Sequence, residues 1–176
     1  ETESASRIVD KVRLYARRRA PAREPVDAAV VARQAIDAFK ASGRFAGALQ
    51  EARDGGRLIV LADSMELELA ILNLLRNAAD ALKASGRPHP EIRLAVKKDG
   101  GLCRITVSDN GPALAPDALR RLGEPLQSAK PEGLGLGLVI VRSIAESHGG
   151  RLLLEALPGG GLSAAIELPL QEEEES

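Results

Sequence analysis

Residues 91–109 read EIRLAVKKDGGLCRITVSD, two runs in which apolar and polar residues alternate on either side of Asp-Gly-Gly. Alternation with a period of two marks a strand buried on one face, and a glycine-bearing turn between two such runs predicts an antiparallel hairpin. GRLLLEAL and LSAAIELPL, around PGGG at residues 158–161, predict a closing hairpin in the same way. RFAGALQEA and RLIVL, around Asp54-Gly55-Gly56, predict two more strands about a turn.

Helical patterns lie between these pairs. VDAAVVARQAIDAF (26–39) predicts one helix, with Asp27 as its cap. Ser64 to Ala84 predicts the longest, because Leu67, Ile71, Leu74, Leu75, Ala78 and Leu82 share a face. A third ends near His148. Hairpins separated by single helices define an α+β class, a two-layer sandwich whose mixed, mostly antiparallel sheet is covered by helices on one face. Residues 110–134 are rich in proline and glycine, with a short helix near PDALRRL; a loop of that length in a compact domain often works as a lid.

At 176 residues the chain fits one domain with a short appendage. Aromatic residues make up only 2%, so the core is expected from Leu, Ile, Val and Ala. A net charge of -1 gives no field that would favour nucleic acid. The one cysteine, Cys103, falls in an alternating strand and reads as a small core residue in a reducing compartment. No apolar run is long enough to span a bilayer and ETESAS is no signal peptide, so the expectation is a soluble, cytoplasmic piece, which a membrane-anchored receptor could also contain. Residues 4–19, with Ile8, Val12 and Tyr15 at helical spacing, predict an amphipathic helix that Pro21 and Pro25 end; QEEEES (171–176) predicts a solvated tail.

Three features carry chemistry. On the long helix Asn73, Asn77 and Asp80 form a narrow stripe nearly opposite Ile71, Leu75, Ala78 and Leu82. Amide oxygens there suit Mg²⁺, which takes few protein ligands and keeps water and phosphate. The stripe also reads as a solvated helix face. Asp109, at a strand end and followed by Gly111, can accept a hydrogen bond from an amino group in a pocket; Asp-Asn-Gly is equally good turn chemistry. Gly133, Gly135 and Gly137 lead into LVIVRSIAESH, where bare N–H groups and the helix dipole suit phosphate; a hinge fits as well. The spacing is neither the Walker pattern nor the dinucleotide fingerprint. Together the three features predict a nucleoside triphosphate site.

Those residues resemble the ATP-binding catalytic domain of bacterial two-component sensor histidine kinases. LADSMELELAILNLLRNAADAL resembles that family's N box, DNGP its G1 box, GLGLGL its G2 box and HGGRLLLEALPGGGLSAAIELPL its closing hairpin. NAADAL and EPLQSAK look most like the nitrogen-regulation and dicarboxylate-sensor branch. The resemblance implies a fold shared with gyrase, mismatch-repair ATPases and a class of chaperones, with a long ATP lid. It implies that Asn77 ligates Mg²⁺ at the catalytic centre and Asn73 helps hold the phosphates. Asp109 would accept the adenine amino group, with Gly111 beside the base. Gly133, Gly135 and Gly137 would wrap the phosphates, with Leu138 after them, Lys130 neutralising them from the lid, and Asp80 on the same face. Two departures stand out: Ala113 where the family often has a second glycine, and Leu126 and Gln127 where it commonly has lid aromatics.

The implied activity is transfer of the γ-phosphoryl of Mg-ATP to a histidine on a dimeric helical domain, and from there to the receiver domain of a response regulator. Neither His89 nor His148 sits in the acceptor context, so both read as structural and the acceptor is expected outside this sequence. Residues 1–20 are expected to end the dimerisation hairpin of a homodimer, 25–170 to form the ATP-binding domain, and 171–176 to be a tail. Two rival readings are a nucleotide-binding regulatory module of the anti-sigma or pseudokinase type, without phosphotransfer, and an ATPase clamp. The clamp needs an acidic base four residues before the metal asparagine, where this chain has Asn73.

Overall fold

The 91–109 hairpin forms as read: β4 (Glu91–Asp99) and β5 (Leu102–Asp109) pair antiparallel, with Val96 opposite Ile105. The computed structural model describes residues 22–122 and 134–172, and around this hairpin it places β1 (Glu24–Asp27), α1 (Ala28–Ala41), β2 (Ala48–Arg53), β3 (Ile59–Ala62) and α2 (Ser64–Ser85) on the amino-terminal side. On the carboxy-terminal side come α3 (Pro116–Arg121), α4 (Leu134–Ser147), β6 (Arg151–Ala156) and β7 (Leu162–Pro169). The predicted helix at 4–19 and most of the acidic tail lie outside the described residues.

Five strands form the main sheet in the order β2-β4-β5-β7-β6, and all its pairings are antiparallel except β2 with β4. Alternation decides the faces. Cys103, Ile105 and Val107 of β5 point with Ile166 and Leu168 of β7 toward α1, α2 and α4, and all are buried. The core is aliphatic as expected, with Phe39 and Phe45 as its one ring pair among the described residues, centroids 6.0 Å apart. Burial, helped by the nearby charge of Asp27, pushes the Cys103 thiol up to about 12, which leaves it an inert core group.

The strands either side of Asp54-Gly55-Gly56 are present but do not pair with each other, which corrects the reading of that segment. β3 pairs antiparallel with β1, a strand the sequence reading missed because Pro25 argues against one; proline is tolerated on an edge. β2 instead joins β4 in parallel. Gly47 makes this possible: a Cβ there would stand 2.3 Å from the Pro90 carbonyl oxygen, which accepts the Ala48 N–H at 3.0 Å.

α2 starts where Asp63 caps it, Oδ1 accepting the N–H groups of Met65 and Glu66, and ends on Gly86 at φ 62°. α1 is capped in the same way by Asp27 through the Ala29 N–H. On the uncovered sheet face Glu167 is clamped by two arginines. Arg104 Nε and Nη2 donate to one oxygen at 2.9 and 2.6 Å, and Arg151 Nε donates to the other at 2.7 Å.

Candidate functional site

A cavity of about 180 Å³ opens between α2, the end of β5 and the start of β7. Leu74, Val107, Leu114 and Leu162 give it apolar walls, and Asn77 and Asp109 are its polar lining. A larger groove of about 570 Å³ runs between α1 and β2, and none of the predicted site residues lines it.

Asp109 continues the core-facing alternation of β5, so its carboxylate is carried inward and is only 8% exposed. It accepts the Gly111 N–H at 2.8 Å and a second backbone N–H from Leu162. Burial raises its pKa above the usual aspartate value, and the two N–H bonds pull it part of the way back. Gly111 has a local reason to be glycine: a Cβ there would stand 2.7 Å from Asp109 Oδ1.

The turn before β7 closes this corner, and the sequence reading took it only as a hairpin connection. Gly160 and Gly161 have φ of 114° and 101°, and Cβ atoms on them would meet the Gly111 oxygen at 2.7 Å and the Asp109 oxygen at 2.0 Å. The Gly161 N–H donates to the Pro112 carbonyl at 3.1 Å. A hairpin turn rarely needs three consecutive glycines, and that excess at 159–161 was the available signal. Asn110 and Arg87 were also missed. Asn110 accepts the Glu91 N–H at 2.8 Å and donates to the His89 carbonyl at 3.0 Å, while Arg87 Nη1 donates to the Gly111 carbonyl at 3.1 Å. They brace the loop from the side of residues 86–91.

The asparagine stripe is not the exposed face that its spacing suggested. Asn73 is 6% exposed and Asn77 half-buried, because α4 packs along α2. Asp80 is exposed and does not line the cavity. α4 begins at Leu134, so Gly135 and Gly137 lie inside its first turn rather than before it. The first-turn N–H groups of a helix have no partner within it. A Cβ on Gly137 would stand 3.7 Å from Asn77 Oδ1, which places that turn beside the asparagine amide. Leu138 puts its side chain in the core, 1% exposed. Lys130 and Gly133 lie outside the described residues.

Fold and cavity together define an α+β sandwich in which a carboxylate and an amide line one pocket and a helix start stands beside the amide. Residues 62–172 match the family described as histidine kinase-, DNA gyrase B- and HSP90-like ATPases, and the chain belongs to that family. Its nucleotide is therefore ATP. The chain is 34% identical over 164 residues to the C4-dicarboxylate transport sensor protein DctB of Rhizobium meliloti, covering 90% of this chain and 25% of that protein. It is 26% identical to sporulation kinase B of Bacillus subtilis, covering 96% of this chain and 39% of that protein. The chain thus spans a minor part of these relatives. Among solved structures, the catalytic domain of histidine kinase ThkA superposes with a TM-score of 0.74 at 23% identity, covering 84% of this chain and 95% of that one. The mycobacterial sensor histidine kinase MprB gives 0.70 at 27% identity, covering 86% and 99%. No helix among the described residues is long and apolar enough to cross a membrane.

Proposed function

We propose that the chain is the catalytic domain of a sensor histidine kinase, which presents Mg-ATP to a histidine on a helical domain elsewhere in the full protein. The pairing of Asp109 and Asn77 in one pocket, with the first turn of α4 beside the asparagine amide, carries this reading. Asp109 accepts the exocyclic amino group of adenine, because its carboxylate is buried, bonded only partly by backbone N–H groups, and set among apolar walls that fit a flat base. The first-turn N–H groups of α4, at Gly135 and Gly137, hold phosphate oxygens. The family resemblance assigns Gly133 and Lys130 to the phosphates as well.

The donors fit magnesium. Mg²⁺ asks for one or two protein oxygens and completes its shell with water and phosphate, and the Asn77 amide stands beside a helix start with no side chain between them. When bound, the ion would neutralise phosphate charge. Asn73, one turn earlier, supports the phosphate side and has no capacity to take a proton from water, so transfer to a histidine is favoured over hydrolysis. Positioning and charge neutralisation supply most of the rate in such transfers. The acceptor domain, the receiver domain that follows it, dimerisation through residues 1–20, and a cytoplasmic location are parts of the same proposal.

Calorimetry and radiolabelled ATP test it. The chain should bind Mg-ATP, remain unlabelled by itself, and label a histidine when the helical hairpin of the full protein is added. Acid-stable labelling, or steady ATP turnover without the hairpin, would overturn the assignment.

A further inference from the structure

We propose that His148 is a positioning residue for the nucleotide site: it fixes the register of α4 against α2, and so the place of the α4 first turn beside Asn77. The proposal rests on the assignment of the small cavity to ATP. His148 directly follows α4, and its side chain is 1% exposed. Nδ1 lies 2.7 Å from the Ile144 carbonyl, which only accepts, so Nδ1 carries the proton. Nε2 lies 3.1 Å from the Asp63 N–H, which only donates, so Nε2 offers its lone pair. Glu66 Oε2 stands farther off, 3.8 Å from Nε2. Ser147 Oγ also lies 3.1 Å from Nδ1, and the Ile144 and Asp63 contacts together set the proton on Nδ1 and the lone pair on Nε2.

The residue His148 holds is itself the cap of the helix that carries the asparagines. Asp63 accepts the Met65 and Glu66 N–H groups through Oδ1, accepts the Ala22 N–H through Oδ2, and gives its own N–H to the imidazole. α2 and α4 therefore meet at two marked points. The last turn of α4 is pinned to the start of α2 through His148 and Asp63. The first turn of α4 stands against Asn77, about 20 Å farther along α2. The helices run antiparallel between these points, so sliding or rolling one on the other at the pinned end moves the phosphate-facing N–H groups relative to the amide. An aliphatic side chain at 148 would fill the space and release the register, because it can neither accept from Asp63 nor donate to Ile144.

Three variants of the 176-residue chain, His148→Gln, His148→Asn and His148→Leu, separate positioning from bulk packing. Each is titrated with Mg-ATP by calorimetry at a temperature where circular dichroism shows it folded. Glu167→Gln, whose side chain is held by Arg104 and Arg151 on the sheet face away from α2 and α4, serves as the control for lost stability. Gln retains an acceptor for the Asp63 N–H and is expected to bind within about threefold of the parent, whereas Leu is expected to lose about tenfold or more. Asn retains the donor to Ile144 alone and is expected to fall with Leu. Amide exchange should quicken at Asp63 in the Leu chain and stay near the parent rate in the Gln chain. Parent-like Mg-ATP affinity in a folded Leu chain would overturn the proposal. So would equal losses in the Gln and Leu chains matched by the Glu167→Gln control. A parent chain that failed to bind Mg-ATP would instead overturn the assignment of the cavity, and this role with it.

Discussion

Asp109 and Glu167 are both buried carboxylates on neighbouring strands, and their surroundings drive them in opposite directions. Asp109 faces the helices at the end of β5, where burial raises its pKa and only backbone N–H groups bond to it. Glu167 faces the other way on β7, where hydrogen bonds from Arg104 and then Arg151 outweigh burial and lower its pKa. A buried charge clamped by cations is already satisfied and serves the fold. One left to backbone dipoles in an apolar pocket retains capacity for a ligand, which is why perturbed groups of this kind gather at functional sites.

The severest way to break the contrast is Gly161→Ala. Its φ of 101° resists any side chain, and the added Cβ would stand 2.0 Å from the Asp109 carbonyl oxygen. Strain and overpacking together should cost about 2–5 kcal/mol, read as a lower unfolding midpoint, and Mg-ATP binding should disappear because the turn that supplies the Leu162 N–H is displaced. Gly159→Ala, also at positive φ but with open space around its Cβ, should cost less and retain binding. Equal effects at the two glycines would refute the claim that this turn shapes the Asp109 corner.

Much of this corner could be read from the chain, and the unread part has physical causes. Period-two and period-3.6 patterns are local, so the β4–β5 hairpin, the closing hairpin, α1 and α2 emerged with their boundaries nearly right. The parallel partner of β2 is non-local: it depends on Gly47 letting the chain pass Pro90, and no pattern within 44–61 encodes that. Asn73 looked solvated because helix periodicity describes one face at a time, whereas α4 lies beside α2 on the same sheet and packs along the flank that carries Asn73. Gly135 and Gly137 looked like a break before a helix because glycine is a poor helix former; the structure uses them inside the first turn, where bare backbone beside Asn77 matters more than propensity. Asp109 and Asn77 were legible since both lie on strongly patterned elements. Gly161 was not, because its reason lies on another strand.

Asp109→Asn sharpens the contrast from the ligand's side. Losing a charge-assisted hydrogen bond to the adenine amino group should weaken Mg-ATP binding about tenfold to a hundredfold. The fold should hold or gain slightly, because burial disfavours the charge that the substitution removes. Glu167→Gln should do the reverse. The arginines it would leave are 39% and 64% exposed and can turn to water, so the cost should be about 1–3 kcal/mol rather than that of an orphaned buried charge, with Mg-ATP affinity unchanged. If Glu167→Gln weakened binding as much as Asp109→Asn, the division of labour between the two carboxylates would fall.

Acidity gives the smallest effect and the one that separates the two groups without mutation. Glu167 has a folded pKa below its ordinary value of 4.5, so its stabilisation is present above that value and declines as pH falls through the lowered pKa. Asp109 has a folded pKa above its ordinary 3.8, so protonating it favours the fold even as it removes the acceptor that adenine needs. On acidification, protonation of Asp109 at its raised pKa should therefore weaken Mg-ATP binding while favouring the fold, whereas the stabilisation from the Glu167 clamp declines as pH falls below 4.5 through its lowered pKa. ATP itself gains protons in this range, so the measurement compares the parent with Asp109→Asn: the difference between their affinity–pH curves isolates the carboxylate. Parallel curves would mean that Asp109 does not change protonation against the ligand, and its distinction from Glu167 would then rest on burial alone.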